Sequence, residues 1–360
     1  MRLGIGESTD AKISNEVDWI QLKALADEQG LSAVLLDALN TDGMNLTETM
    51  PVQLKLEWIG EVLQGEQTYK LHQEVSTDMA NLFHGNGIRT YVLKGRIVAE
   101  CYPKPEHRVS VDMDCYLLND NHSENVNNGS LCSHEEAWNL GNELIRSKHF
   151  DVYTDFYKNS TFKLPGLTVE NHLFLTPFRG NERLASLEKV LQSLLQSDKG
   201  EDIIEGTWLY RPPVMVSALF FIEHAYSHFL HEGLTWRMVL DWVLFKKKHK
   251  AEIDWASFDA YVDEFGFRKF YDSFSRLGQY LIGEVQEFNS LSVQEKRMLK
   301  DIWAPLDLHE TLHGVKGKLG LAGNTWRARW KYRYFTDMNW MKALWIQAKG
   351  VLFEKHPTLD

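Results

Sequence analysis

The feature that most constrains this chain is a switch of hydrophobic period. Up to His84 the apolar side chains recur at helical spacing. The stretch YVLKGRIVAECYPKPEHRVSVDMDCYLL, residues 91–118, then brings two runs of another kind. Tyr91, Val92 and Leu93 read as a short strand. Lys94 and Gly95 lead into a helical segment, Arg96 to Cys101. Pro103 and Pro105 end it, because proline lacks the backbone donor and clashes with the preceding turn. The second run alternates. Val109, Val111, Met113, Cys115 and Leu117 fall on one parity, and Ser110, Asp112, Asp114 and Tyr116 on the other. Alternation predicts a half-buried strand, on which residues two apart project to the same side, about 6.5–7 Å apart. Asp112 and Asp114 therefore share a face. Two carboxylates so placed can share a divalent cation. Without one they repel, and the pKa of at least one is expected to rise.

Helical pattern flanks this stretch on both sides. Asn15 to Gln29, stopped by Gly30, then Ser32 to Leu39, then residues 53–84 read as helices before it. After Leu118 a polar loop, Asn119 to Ser133, leads to a helix from His134 to Lys148, with Ser133 and Glu136 as a capping box. Strand-like runs follow at residues 150–156, 160–164 and 167–175. In the last, Thr168, Glu170, His172 and Phe174 share one face, and Val169, Leu173 and Leu175 the other. Beyond Pro177 the pattern is helical, apart from a short run at Trp208 to Tyr210. Helices are expected at Pro213 to His231, Thr235 to His249 and Trp255 to Phe265, with more as far as Phe353. This order predicts an α+β chain with a small mixed sheet, since a doubly wound fold would alternate strand and helix throughout. It divides into an N-terminal helical segment, 1–88, an α/β core, 89–210, and a C-terminal helical domain, 211–360.

Composition narrows the function. A hydrophobic share of 44% with 12% aromatic residues supports a packed core. A formal charge of −11 argues against binding long nucleic acid, which needs a basic surface. The three cysteines, Cys101, Cys115 and Cys132, form no CxxC pair and point to a reducing compartment. The N-terminus lacks the apolar core of a signal peptide. The most apolar stretch, Val214 to Leu230, carries Glu223, His224 and His228, and so reads as a buried helix rather than a span. A soluble, cytoplasmic protein is expected.

Asp112 and Asp114 alone are weak evidence, because outward strand positions are commonly polar. Glu170, on a second alternating strand, strengthens them. Three carboxylates converging on one sheet face suit two-metal phosphoryl transfer, and carboxylate oxygens are hard ligands for Mg²⁺. Arg108 stands four residues before Asp112, placed to contact phosphate, hold a carboxylate or form a structural ion pair. His172 shares the face of Glu170 and is expected to support it. His224 and His228, four apart, share a helix face with no HExxH order, and are expected to pack beneath the site or line an acceptor cleft. Arg237 and Asp241 read most simply as a helix-surface ion pair. The run TWRARWKYRYF, residues 325–335, reads as a helix that buries its tryptophans and exposes its arginines.

The order L-K-G, helix, Y-P-x-P-x-x-R, then D-x-D on a strand resembles a group of uncharacterised bacterial nucleotidyltransferases of the polymerase-beta-like superfamily. Val169 to His172 is similar to that group's acid-x-His strand, and His224 to Asp241 to its His-containing helix and following Arg-x-x-x-Asp. The likeness covers about residues 15 to 250. It implies that Asp112, Asp114 and Glu170 bind two Mg²⁺ ions, and that Glu170 helps deprotonate an acceptor hydroxyl. It further implies that Lys94 and the Gly95 backbone N–H meet the triphosphate of an NTP donor, with Arg108 and His172 as further nucleotide contacts. The wider superfamily carries Gly-Ser at that turn, where this chain has Lys94-Gly95-Arg96.

The resulting expectation is a Mg²⁺-dependent nucleotidyltransferase that moves a nucleoside monophosphate from an NTP to an unidentified acceptor, a small molecule or a protein, with release of pyrophosphate. The alternative is a nucleotide-binding or protein-interaction module on a catalytically degenerate core. A third reading, a metal hydrolase on the His224/His228 helix, requires zinc.

Overall fold

The computed structural model describes residues 1, 4–6, 17–40, 49–120, 132–154, 158–178, 181–303, 326, 328–337, 339–342 and 345. Of the sequence readings, residues 15–16 of the first helix, 121–131 of the polar loop, 155–157 of a strand run, 304–325, 327, 338, 343–344 and 346–353 of the C-terminal helical stretch, and the Ser133 side chain lie outside them.

The period switch marks the border of a mixed sheet of six strands: β1 Ile88–Val92, β2 Asp112–Asn119, β3 Val152–Thr154, β4 Asn159–Leu164, β5 Leu167–His172 and β6 Leu209–Tyr210. Their order across the sheet is β3-β4-β5-β2-β1-β6. The β2–β5 and β1–β6 pairs are parallel, and the other three neighbours antiparallel. The helices are α1 Trp19–Glu28, α2 Ser32–Leu39, α3 Val52–His84, α4 Arg96–Ala99, α5 Cys132–Ser147, α6 Glu182–Gln196, α7 Val214–His231, α8 Trp236–Lys248, α9 Trp255–Glu264, α10 Arg268–Leu281 and α11 Val293–Trp303. Residues 328–335 are also helical. The architecture is α+β, as the element order requires.

Local chemistry sets these boundaries. Asp18 caps α1 by accepting the Gln21 N–H at 3.0 Å, and Gly30 closes it at φ +65°, where the left-handed turn favours glycine. The strand holding the aspartates starts later than its alternation suggests. Val111 is 72% exposed and Val109 is exposed as well, because the chain emerges there from a 3-10 turn at Pro105–His107 and joins the ladder only at Asp112. The run 167–175 stops pairing at His172, and the N–H groups of Leu173 and Phe174 both turn to the Lys158 carbonyl. Helix α5 begins at Cys132, so Ser133 falls inside its first turn rather than at the cap position.

Two helices define the sheet faces. α5 covers the side of Leu117 and Asn171. Its Gly141 sits where any Cβ would collide with Leu117, and Trp138 Nε1 donates to the Asn171 carbonyl at 3.0 Å. α7 covers the opposite side, with Phe220 edge-on to His172 at 5.8 Å. One apolar core runs from Val92 and Leu117 through Phe229 and Phe270 to Phe335. A smaller cluster around Trp19, Leu39 and Trp58 joins α1, α2 and α3. Among the described residues no helix is long and apolar enough to cross a membrane.

Candidate active site

The parallel register of β2 and β5 pairs Asp112 with Thr168, Asp114 with Glu170, and Tyr116 with His172. Side chains of matching parity on neighbouring strands share a face, so the three expected carboxylates meet on the side covered by α7. Asp114 is only 2% exposed, while Asp112 and Glu170 are half-buried. Ligand atoms of Asp114, Glu170 and His172 all lie within 4.8 Å of one another. Among the described residues this is the group of acids and histidines close enough to hold a cation together; the His224/His228 pair is not part of it. Asp112 stands beside it on the strand. His172 Nε2 lies 2.9 Å from Asp114 Oδ1 and 3.8 Å from Glu170 Oε2. The histidine therefore braces the aspartate first and the glutamate second, where the sequence suggested the reverse.

The two aspartates respond oppositely. The Asp112 pKa is raised, first by burial and then by the charge of Asp114. Burial pushes Asp114 the same way, but the His172 hydrogen bond and the Lys94 charge outweigh it and hold this carboxyl below its ordinary value. The rise expected from repulsion thus falls on Asp112 alone. Glu170 is held from β4: Asn159 Nδ2 donates to Oε2 at 2.6 Å, and Lys158 Nζ lies 3.4 Å away. Neither residue stands out in the sequence. Only the antiparallel β4–β5 register, which sets Asn159 opposite His172, brings them in.

Lys94 and Gly95 turn the chain away from β1 beside the same carboxylates. Leu93 N–H donates to the Asp114 carbonyl at 2.9 Å. Gly95 has φ +76°, and a Cβ there would press on Ser110 Oγ at 3.3 Å and the Asp112 carbonyl at 3.4 Å. The turn thus needs glycine for both conformation and space. The helix that follows, α4, is a single turn, so little dipole stands behind its N–H groups. Lys94 Nζ lies 2.6 Å from His224 Nε2. Burial lowers the Lys94 pKa against the opposing pull of Asp114, and burial holds His224 well below the usual histidine range. His228 Nε2 stands 2.9 Å from His224 Nε2, and its Nδ1 is 2.7 Å from Glu232. That hydrogen bond pulls the Glu232 carboxyl down to about 2. A string Glu232–His228–His224–Lys94 therefore leads from the end of α7 to the carboxylates. His224 thus packs against Lys94 beside the carboxylates.

Arg108 is buried in a bidentate pair with Asp241: Nε to Oδ1 and Nη2 to Oδ2, both 2.8 Å. Tyr102 O–H donates to the same Oδ1 at 2.7 Å, and Arg237 stands 3.6 Å from Oδ2. Asp241 is 0% exposed, so Arg237 and Asp241 do not form the surface pair their spacing suggests. The turn carrying Tyr102 and Arg108 packs over α8 and closes the pair from solvent. Arg237, half-buried, projects its charge onto both Asp112 and Lys94.

Fold and site together define an α+β protein with a carboxylate-centred site on its sheet, rimmed by lysine and arginine. Residues 15–283 match a family described as uncharacterised nucleotidyltransferases, and the chain belongs to that family. The match runs past the likeness seen in the sequence and takes in α9 and α10. No curated protein and no solved structure matches the chain.

Proposed function

We propose that this protein transfers a nucleoside monophosphate from an NTP to an acceptor hydroxyl, with Mg²⁺ and release of pyrophosphate, in the manner of the polymerase-beta-like superfamily, and that it works in the cytoplasm. The observation that carries this reading is the β2–β5 register, which sets Asp114 beside Glu170 with Asp112 two residues away on the same face. The donor set suits a hard divalent cation, because its ligands are carboxylate oxygens and the raised Asp112 pKa marks a site short of positive charge. Asp112, Asp114 and Glu170 would hold the ion, which when bound neutralises phosphate charge and makes the acceptor oxygen more acidic.

The remaining work falls to the protein's own groups. His172 keeps Asp114 ionised and oriented. Glu170, half-exposed, is placed to take the acceptor proton, with Asn159 fixing its rotamer. Lys94 and Arg237 stand on the nucleotide side and offer N–H donors to the phosphates. Arg108 acts through Asp241 by holding the Tyr102–Arg108 turn in place. Catalysis is then positioning and charge neutralisation, without a covalent intermediate.

The test incubates the protein with Mg²⁺, each NTP and cell extract, and measures pyrophosphate and label transfer. Turnover is expected with at least one NTP. It should be lost in an Asp112→Asn/Asp114→Asn variant whose melting temperature stays close to that of the parent. Full activity in that variant would remove the site assignment. Nucleotide binding by calorimetry without pyrophosphate release would favour a binding module instead.

A further inference from the structure

A second cleft lies away from the carboxylates, between α11 and the helical residues 328–335. Its volume is about 610 Å³, inside the range of roughly 300–1,000 Å³ typical of small-molecule sites. Arg297, Arg329 and Arg333 line it together with Trp330, Tyr334 and Trp340. Arg329 and Arg333 are four apart on one helix and so share a face. In a chain of net charge −11, three guanidinium groups around one cleft are an unusual local reversal. Among the described residues none of the three ion-pairs with a carboxylate. The acid that lines the cleft, Asp337, is taken by Arg183 at 2.6 Å. The neighbouring Lys331 is buried and points inward, to Asp301 at 2.6 Å and the Phe229 carbonyl at 2.7 Å.

Two of the three arginines are nevertheless held in place. Arg297 lies over the Trp330 ring at 4.6 Å, and Arg329 over Trp326 at 4.2 Å, with Nη1 donating to the Trp326 carbonyl at 2.8 Å. A guanidinium stacked on an indole keeps its outer N–H edge free and loses less freedom when it grips an anion. Trp340 and Tyr334 add aromatic surface on which a planar ring can stack.

We propose that this cleft binds a phosphorylated small molecule with a planar ring, of the mononucleotide class, at a site separate from the carboxylates. The cleft helix packs on α7 through Tyr226, whose O–H donates to the Phe335 carbonyl at 3.1 Å, and through Phe229, 5.8 Å from Trp330. Tyr226 follows His224 by two residues, about 200° around the helix. The cleft and Lys94 therefore sit on opposite sides of α7. The cleft also lies beyond residue 283, outside the family match, and does not depend on the reaction proposed above. Long single strands are disfavoured by the net charge of −11.

The experiment titrates the full-length protein in EDTA with AMP, adenosine, inorganic phosphate and a twelve-nucleotide oligoadenylate, by calorimetry. Saturable binding of AMP is expected, with adenosine and phosphate each at least tenfold weaker, because both stacking and charge contribute. Arg329→Ala/Arg333→Ala should weaken AMP at least tenfold. Both side chains are exposed, and the single variant Arg333→Gln, expected to weaken AMP severalfold, guards against loss of fold. The proposal is overturned if AMP does not bind, if its affinity is unchanged in the arginine variants, or if the oligonucleotide binds tenfold more tightly than AMP.

Discussion

Asp114 and Asp241 are both buried carboxylates whose pKa lies below the ordinary range: against burial, the His172 hydrogen bond and the Lys94 charge hold Asp114 down, and the Arg108 guanidinium holds Asp241 down. Removing one member of the buried Arg108–Asp241 ion pair leaves the other charge without compensation, which costs on the order of 3–5 kcal/mol. Arg108→Met is therefore expected to destabilise the protein by about that amount in urea unfolding. Arg108→Met combined with Asp241→Leu should recover most of the loss, because both charges leave together. If the double variant were as unstable as the single one, the packing of the Tyr102–Arg108 turn, and not the charge pair, would be what holds this region.

At the scale of elements, two connections decide how the site is framed. His107 ties the N-terminal helices to the turn before β2: Nδ1 lies 2.6 Å from Asp37 on α2, and Nε2 2.9 Å from Glu66 on α3. Burial alone would lower the His107 pKa, but the hydrogen bonds to Asp37 and Glu66 outweigh it and raise the value above 6.5. A raised histidine pKa contributes stability that is complete below the unfolded-chain value and lost as pH rises through the folded one. Hydrogen exchange in α2 and the middle of α3 is thus expected to speed up between about pH 6 and pH 8 beyond the intrinsic rate. His107→Ala should abolish that extra pH dependence at a cost of about 2 kcal/mol. The second connection is the string along α7. His224→Leu removes the partner of Lys94 and is expected to lower pyrophosphate release at least tenfold. His228→Leu, one step further out, should lower it less. Equal losses in the two variants would mean that they disturb α7 rather than Lys94.

Over the whole molecule, acidity is distributed with a consequence for stability. Glu223 on α7 is buried, and burial pushes its carboxyl up to about 8, with Lys158 opposing and Glu188 adding to the rise. The folded protein therefore keeps a proton there that the unfolded chain releases near 4.5. Its contribution is full below that value and declines as pH rises toward 8. Glu223→Gln should leave the melting temperature nearly unchanged at pH 4.5 and stabilise the protein by on the order of 2–4 kcal/mol at pH 8, read by thermal scans across that range.

Much of this organisation is legible in the linear chain because it rests on periodicity. Alternation put Asp112 with Asp114 and Glu170 with His172, and the long helix ending at His84 follows from its apolar spacing. Glycine marked the end of α1, whereas α4 stops at Ala99, short of both Cys101 and the prolines that follow it. Boundaries slipped where a neighbour decided them, as at Val109 and Val111, whose alternation continues past the point where β2 finds a partner. The roles of Lys158, Asn159 and His224 were not legible, because each depends on which strand or helix lies alongside. Arg237 and Asp241 show the same limit: spacing gives the pair, but only the turn folded over α8 decides that it is buried. What the sequence determined by itself was the element order, α+β, and the shared faces of Asp112 with Asp114 and of Glu170 with His172, since both follow from local backbone geometry. What only the tertiary structure decided was the β2–β5 register that puts Asp114 against Glu170, and the packing of α7 that brings His224 to Lys94. Those contacts join residues far apart in the chain, and they are fixed by burial of the common core rather than by any local preference.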